Sequence, residues 1–198
     1  MKRIIILLIE ISFCAILFSS CEKSNDDYAN YFKVGDTEYP LTQGILVNFG
    51  IDGPDGTDSI SYEYGIILFS SGFTISEDDI VGSGQEMTFY VYSSDSVNLP
   101  IGDYSFYMEE QERSGTFAYA DYGINYNFDT GEDTEVELVT GTLTISQNSD
   151  TYEISFNDDN DNVSLYYKGS LTFYDYSELY DEDEKVKSLK VKAKIKFK

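Results

Sequence analysis

Carboxylates and phenols dominate the side chains of this sequence that could do chemistry. There are 36 Asp and Glu and 18 Tyr, and no His. Without histidine the commonest general base and the commonest metal ligand are both missing. Ser-His-Asp hydrolysis is excluded. Acids gathered in a loop could hold calcium, which takes about six to eight oxygens. Asp52, Asp55 and Asp58 share the Gly- and Pro-broken stretch 52–58 and are the candidate calcium ligands. Similar acids recur at Asp158, Asp159 and Asp161 and through 178–184. None follows the EF-hand order, and Asp is also at home in plain solvated turns. No cofactor beyond such a structural calcium is expected. Paired carboxylates could hydrolyse glycosides, but so many acids make some suitable pair unavoidable and single out none.

The aromatic residues are the second candidate. Tyr62, Tyr64, Tyr90, Tyr92, Tyr119, Tyr122 and Tyr126 could stack on sugar rings if they lined one exposed face. The competing explanation is strand propensity, because aromatic side chains suit a pleated, half-buried surface. The absence of Trp weakens the glycan reading.

A third candidate is the lysine run at the end. Leu189, Val191, Ala193, Ile195 and Phe197 alternate with Lys190, Lys192, Lys194, Lys196 and Lys198. Such alternation makes a strand with one apolar and one cationic face. It could recognise an anionic polymer, or it could simply neutralise acids on a neighbouring strand. Glu135 and Glu137 have the right spacing to meet it. Residues 22–184 carry 35 acids and only four bases, whereas 185–198 carries seven lysines and no acid. Nucleic acid is a poor partner for so acidic a body.

The elements that must position these residues read as strands. Period-two alternation recurs with turn signals between the runs. Strands are predicted over 31–34 and 38–41 as a hairpin about Gly35-Asp36, then over 44–52, 59–70, 86–93, 104–108, 116–128, 134–146, 151–156, 163–174 and 189–197. Stretches 77–85 and 129–133 read as a polar loop and a turn. No long stretch beyond the N-terminal region has helical spacing. About ten strands in one domain imply a two-layer antiparallel β-sandwich, with a closed antiparallel β-barrel as the alternative.

The N-terminal region reads as an address. Lys2 and Arg3 precede an apolar run that closes on Ser19-Ser20-Cys21. This is the order of an export signal. Leu17-Phe18-Ser19-Ser20-Cys21 resembles a lipobox, so residues 1–20 are expected to be removed and Cys21 acylated. Residues 21–28 would then be a polar tether and 29–198 a single all-β domain. The acidic stretch behind Cys21 resembles the surface-export signal of Bacteroidota outer-membrane lipoproteins. The segment from Gly141-Thr142-Leu143-Thr144-Ile145-Ser146 through Asp150-Thr151-Tyr152-Glu153-Ile154 to Tyr167-Lys168-Gly169-Ser170-Leu171-Thr172-Phe173-Tyr174-Asp175 resembles a three-strand block of uncharacterised surface lipoproteins of the same group. The resemblance implies an outer-membrane, lipid-anchored, surface-exposed β domain and brings no activity with it.

The expected role is therefore non-enzymatic binding of an extracellular ligand, glycan or protein, from a lipid-anchored position. A structural or envelope-assembly role contacting other proteins is the alternative, and a carboxylate hydrolase is third. Stacked sugars require an exposed row of tyrosines. A protein partner requires an exposed apolar patch.

Overall fold

The computed structural model describes residues 30–52, 61–76, 79–99, 101–107, 114–130, 132–160 and 162–177. The expected signal, Cys21, the tether and the lysine run lie outside the described residues, as do Asp55, Asp58, Asp161 and 178–184.

Thirteen strands account for most of the described chain, and no α-helix occurs among them. The hairpin β1 (Tyr31–Val34) and β2 (Thr37–Pro40) turns at Gly35, whose φ of 58° suits a residue without a Cβ. Then come β3 (Gln43–Asp52), β4 (Ser61–Phe69), β5 (Phe73–Ile75) and β6 (Ile80–Ser93). They are followed by β7 (Gly102–Phe106), β8 (Thr116–Asn127), β9 (Glu132–Leu138) and β10 (Thr142–Asn148). Last are β11 (Thr151–Asn157), β12 (Val163–Gly169) and β13 (Thr172–Asp175).

The strands join in the order β13-β3-β4-β6-β8-β7-β10-β11-β12-β1-β2, with β5 on β6 and β9 on β8. The sheet is open, with ends at β13 and β2, and folds over itself into a sandwich rather than closing as a barrel. The fold line runs along β8. Its first two residues pair with β7, whereas 120–127 pair with β9. One layer is thus β13-β3-β4-β6-β8-β9 and the other β7-β10-β11-β12-β1-β2.

Between the layers lies the main core. Tyr64, Ile66 and Leu68 of β4, Met87, Phe89 and Val91 of β6, and Phe117 of β8 meet Leu143, Ile145, Ile154, Phe156 and Leu165 of the other layer. Phe89 and Phe156 sit with ring centroids 5.2 Å apart. A second cluster lies on the outer face of the first layer and includes Ile45, Val47, Phe49, Ile67, Phe69, Tyr90, Tyr126 and Phe128. Strands β3 and β4 are therefore buried on both faces, and their sequences read as continuous apolar runs for that reason.

Several sequence-based boundaries change. The expected loop 77–85 contains the first half of β6, which pairs with β5 and β8 through Gly82, Ser83 and Gly84. A Cβ on Gly82 would lie 2.4 Å from the carbonyl oxygen of Gly72, so glycine there permits backbone contact rather than a loop. The expected turn 129–133 ends inside β9. The run 134–146 is two strands in different layers, separated at Gly141 with φ 119°. The run 163–174 also divides, because β13 leaves the β10-β11-β12 meander and pairs with β3. That pairing and β7 with β8 are parallel, so the sheet is mixed rather than wholly antiparallel.

Candidate functional site

The seven tyrosines do not form an exposed row. Tyr64, Tyr90, Tyr92, Tyr122 and Tyr126 are buried, and Tyr62 and Tyr119 are half-buried. They also divide between faces: Tyr62, Tyr64 and Tyr122 pack in the inter-layer core, and Tyr90, Tyr119 and Tyr126 against the outer cluster. Two bulges in β8 cause part of this division. The register shifts between Tyr90 and Val91, and again between Gly84 and Gln85 opposite Asn125. Asn125 has φ 60°, a left-handed conformation that asparagine tolerates. Each shift moves the following side chains to the opposite face. Burial pushes the phenols of Tyr64 and Tyr104 up to about 12. Of the calcium candidates, only the backbone of Asp52 is described, at the end of β3. No group of three or more acids able to hold a metal occurs among the described residues.

Two features do come together. The first lies at the end of the sandwich where β3 and β6 finish and β4 and β7 begin, as the pairs Asp52–Ser61 and Tyr62–Ser93 place these ends side by side. The loop from β6 to β7 is tied down there. The Ser93 hydroxyl accepts from the amide of Asp95 at 2.8 Å. The Asp95 carboxylate accepts from the amides of Val97 and Asn98 at 2.8 and 3.1 Å. Those bonds hold the carboxyl below its usual range. The Tyr64 hydroxyl donates to the Asp95 carbonyl at 3.0 Å, and the Asn48 amide to that of Ser96 at 3.3 Å. Leu99 anchors the loop in the core. The rim so fixed carries Val97 and Ile101, and Ile51 lies on the same end; these aliphatic side chains are 69%, 63% and 60% exposed.

The second feature is a ladder of acids across the outer face of β6, β8 and β9. Glu86 pairs with Gly123 and Thr88 with Asp121 across β6–β8. Asp121 pairs with Glu137 and Gly123 with Glu135 across β8–β9. Cross-strand partners share a face. Glu86, Thr88 and Asp121 have no exposed surface, Glu135 is half-buried and Glu137 is exposed. The Tyr119 hydroxyl donates to Glu135 Oε1 at 2.7 Å. Neither carboxyl oxygen of Asp121 has a hydrogen bond of standard geometry. Burial pushes the Asp121 carboxyl up to about 8; the Glu135 carboxylate adds to the rise, and the hydroxyls of Tyr119 and Thr88 oppose it. Asp121 therefore keeps a proton at neutral pH. Burial and the charge of Asp121 push the Tyr119 phenol upward as well.

Sequence reasoning missed Asp121 and Glu86. The available signal was an acid inside a strand of alternating aromatics, Tyr119-Ala120-Asp121-Tyr122, where no turn called for one. Among the other acid-rich turns, Asp158 is buried and accepts from the Thr140 hydroxyl, while Asp159 is exposed.

No family model, curated protein or solved structure matches this chain.

Proposed function

We propose that this chain is a non-enzymatic, lipid-anchored lipoprotein of the outer-membrane surface whose sandwich end binds a partner protein. The exposure of Val97 and Ile101 on a tied-down rim, with Ile51 exposed on the same end of the sandwich, carries this reading. Apolar side chains held out on a rigid loop favour association with another apolar surface, since burying them releases their hydration. Pre-ordering of the loop through Asp95 lowers the entropic cost of binding. A glycan ligand is less favoured, because the tyrosines that would stack on sugars are largely core residues. A carboxylate hydrolase is less favoured too. Asp121 has the raised pKa of an acid catalyst, but a side chain with no exposed surface touches no substrate.

The anchor and the binding role are tested separately. A fatty-acid analogue should label the wild-type protein and not Cys21→Ala; labelling that survives the substitution removes the anchor from the proposal. For binding, a photo-crosslinking amino acid placed at Val97 or Ile101 in the producing cell should capture one discrete protein, and one placed at Thr74 should not. Saturable binding on a glycan array that persists in Val97→Asp and Ile101→Asp variants would overturn the protein-partner reading.

A further inference from the structure

We propose, on the protein-partner reading above, that the partner seated on the aliphatic rim is a basic protein surface whose Lys or Arg side chains meet Asp95, Asp103 and Asp175 while its apolar side chains cover Val97 and Ile101. The three acids stand about the same end of the sandwich. Asp95 lies in the tied-down loop two residues before Val97, and Asp103 lies at the start of β7 two residues after Ile101. Asp175 ends β13 and pairs with Asn48 of β3, whose side-chain amide donates to the Ser96 carbonyl beside Val97. Burial raises the Tyr64 phenol, and the charges of Asp95 and Asp175 add to the rise, so both carboxylates act on one spot. All three acids are exposed, and each is fixed through one oxygen. Asp95 accepts from the amides of Val97 and Asn98, Asp103 from the Thr144 hydroxyl at 2.7 Å, and Asp175 from the Ser177 amide at 3.0 Å. Charges held in this way meet a cation without first having to be ordered.

The cations of the described residues stand elsewhere. They are Lys33 and Lys168, on β1 and β12 of the other layer. Lys33 stands opposite Glu38 across β1 and β2, and Lys168 Nζ lies 3.0 Å from Glu153 Oε2. The whole chain carries a formal charge of -23. Its field therefore draws cationic surfaces in and repels nucleic acid, anionic lipid and acidic glycans alike. A second copy docked rim to rim would set the same three acids against their own symmetry mates. A basic surface with an apolar centre suits both parts of the patch, because the aliphatic side chains lose their hydration and the carboxylates gain opposite charges.

The test uses the full-length protein and a fluorescent amphipathic peptide with one leucine face and one lysine face, beside the same peptide with glutamine in place of lysine. The lysine peptide should bind saturably. Its affinity should fall roughly tenfold or more in the triple variant Asp95→Asn, Asp103→Asn, Asp175→Asn, as three surface ion pairs together predict. Asparagine keeps one side-chain oxygen as an acceptor, so the rim stays ordered. The triple variant Asp36→Asn, Asp129→Asn, Asp159→Asn removes the same charge from exposed turns and should leave the affinity within about twofold. Raising the salt from about 10 mM to about 150 mM shortens the screening length from roughly 30 Å to roughly 8 Å, and should weaken the parent more than the rim variant. Equal losses in the two triple variants would overturn the proposal, since the peptide would then follow net charge alone. So would the absence of saturable binding by the lysine peptide. A glutamine peptide that binds as tightly as the lysine peptide, and is lost in Val97→Ser with Ile101→Ser, would overturn the basic partner and leave the protein-partner reading standing. Binding of the lysine peptide that survives those two serines would overturn both.

Discussion

Replacing Asp121 with asparagine tests the protonation of the acid ladder directly. An ordinary aspartate titrates near 3.9; burial and the neighbouring Glu135 carboxylate push this one up to about 8. Below about pH 4 the group is protonated in both the folded and unfolded chain and has no influence on stability. As pH rises toward 8 the unfolded chain ionises while the folded one keeps its proton, so stability is progressively lost across that window. Each tenfold change corresponds to about 1.36 kcal/mol, so the whole displacement amounts to roughly 6 kcal/mol, of which about 4 kcal/mol falls between pH 5 and pH 9. The amide introduced by Asp121→Asn cannot ionise and nearly preserves the volume. Urea unfolding of parent and Asp121→Asn proteins at pH 5 and pH 9 should therefore show the variant losing roughly 2–4 kcal/mol less over that interval. General repulsion among the other acids is common to both proteins and cancels in the comparison. Equal pH slopes in the two proteins would refute a protonated Asp121.

Further expectations follow from the core and the turns. Phe156→Ala removes a ring that meets both Phe89 and Phe117 in the inter-layer core, and should cost roughly 3–5 kcal/mol in chemical denaturation. Gly82→Ala places a Cβ 2.4 Å from a backbone oxygen at φ 105°, so it should destabilise by roughly 2 kcal/mol or more. Gly35→Ala, where a Cβ meets nothing within 4 Å, should cost only about 1 kcal/mol by the same assay. Asp95→Ala should speed amide exchange at Val97 and Asn98. In the parent that protection should hold above the usual carboxylate range and fade as pH falls through the depressed Asp95 value.

That the chain would build sheets and stack them was legible in its residues. Alternation is a local property, and the runs about Phe32, Ile66, Phe89, Leu143, Ile154 and Leu165 place their apolar side chains in the core as read. Histidine-free composition and the charge division at residue 184 were equally plain. Which tyrosines share a face became visible only in the folded chain, because one bulged residue such as Asn125 reverses every side chain after it and leaves no mark in a hydropathy pattern. Only the tertiary structure separated β9 from β10 and sent β13 back to β3, since strand partners are chosen by contacts far apart in sequence. The burial of Asp121 belongs to the same category. An acid two residues from Tyr119 looks like any other acid until β6 and β9 close on either side of its strand, and its proton is held by the loss of water around it.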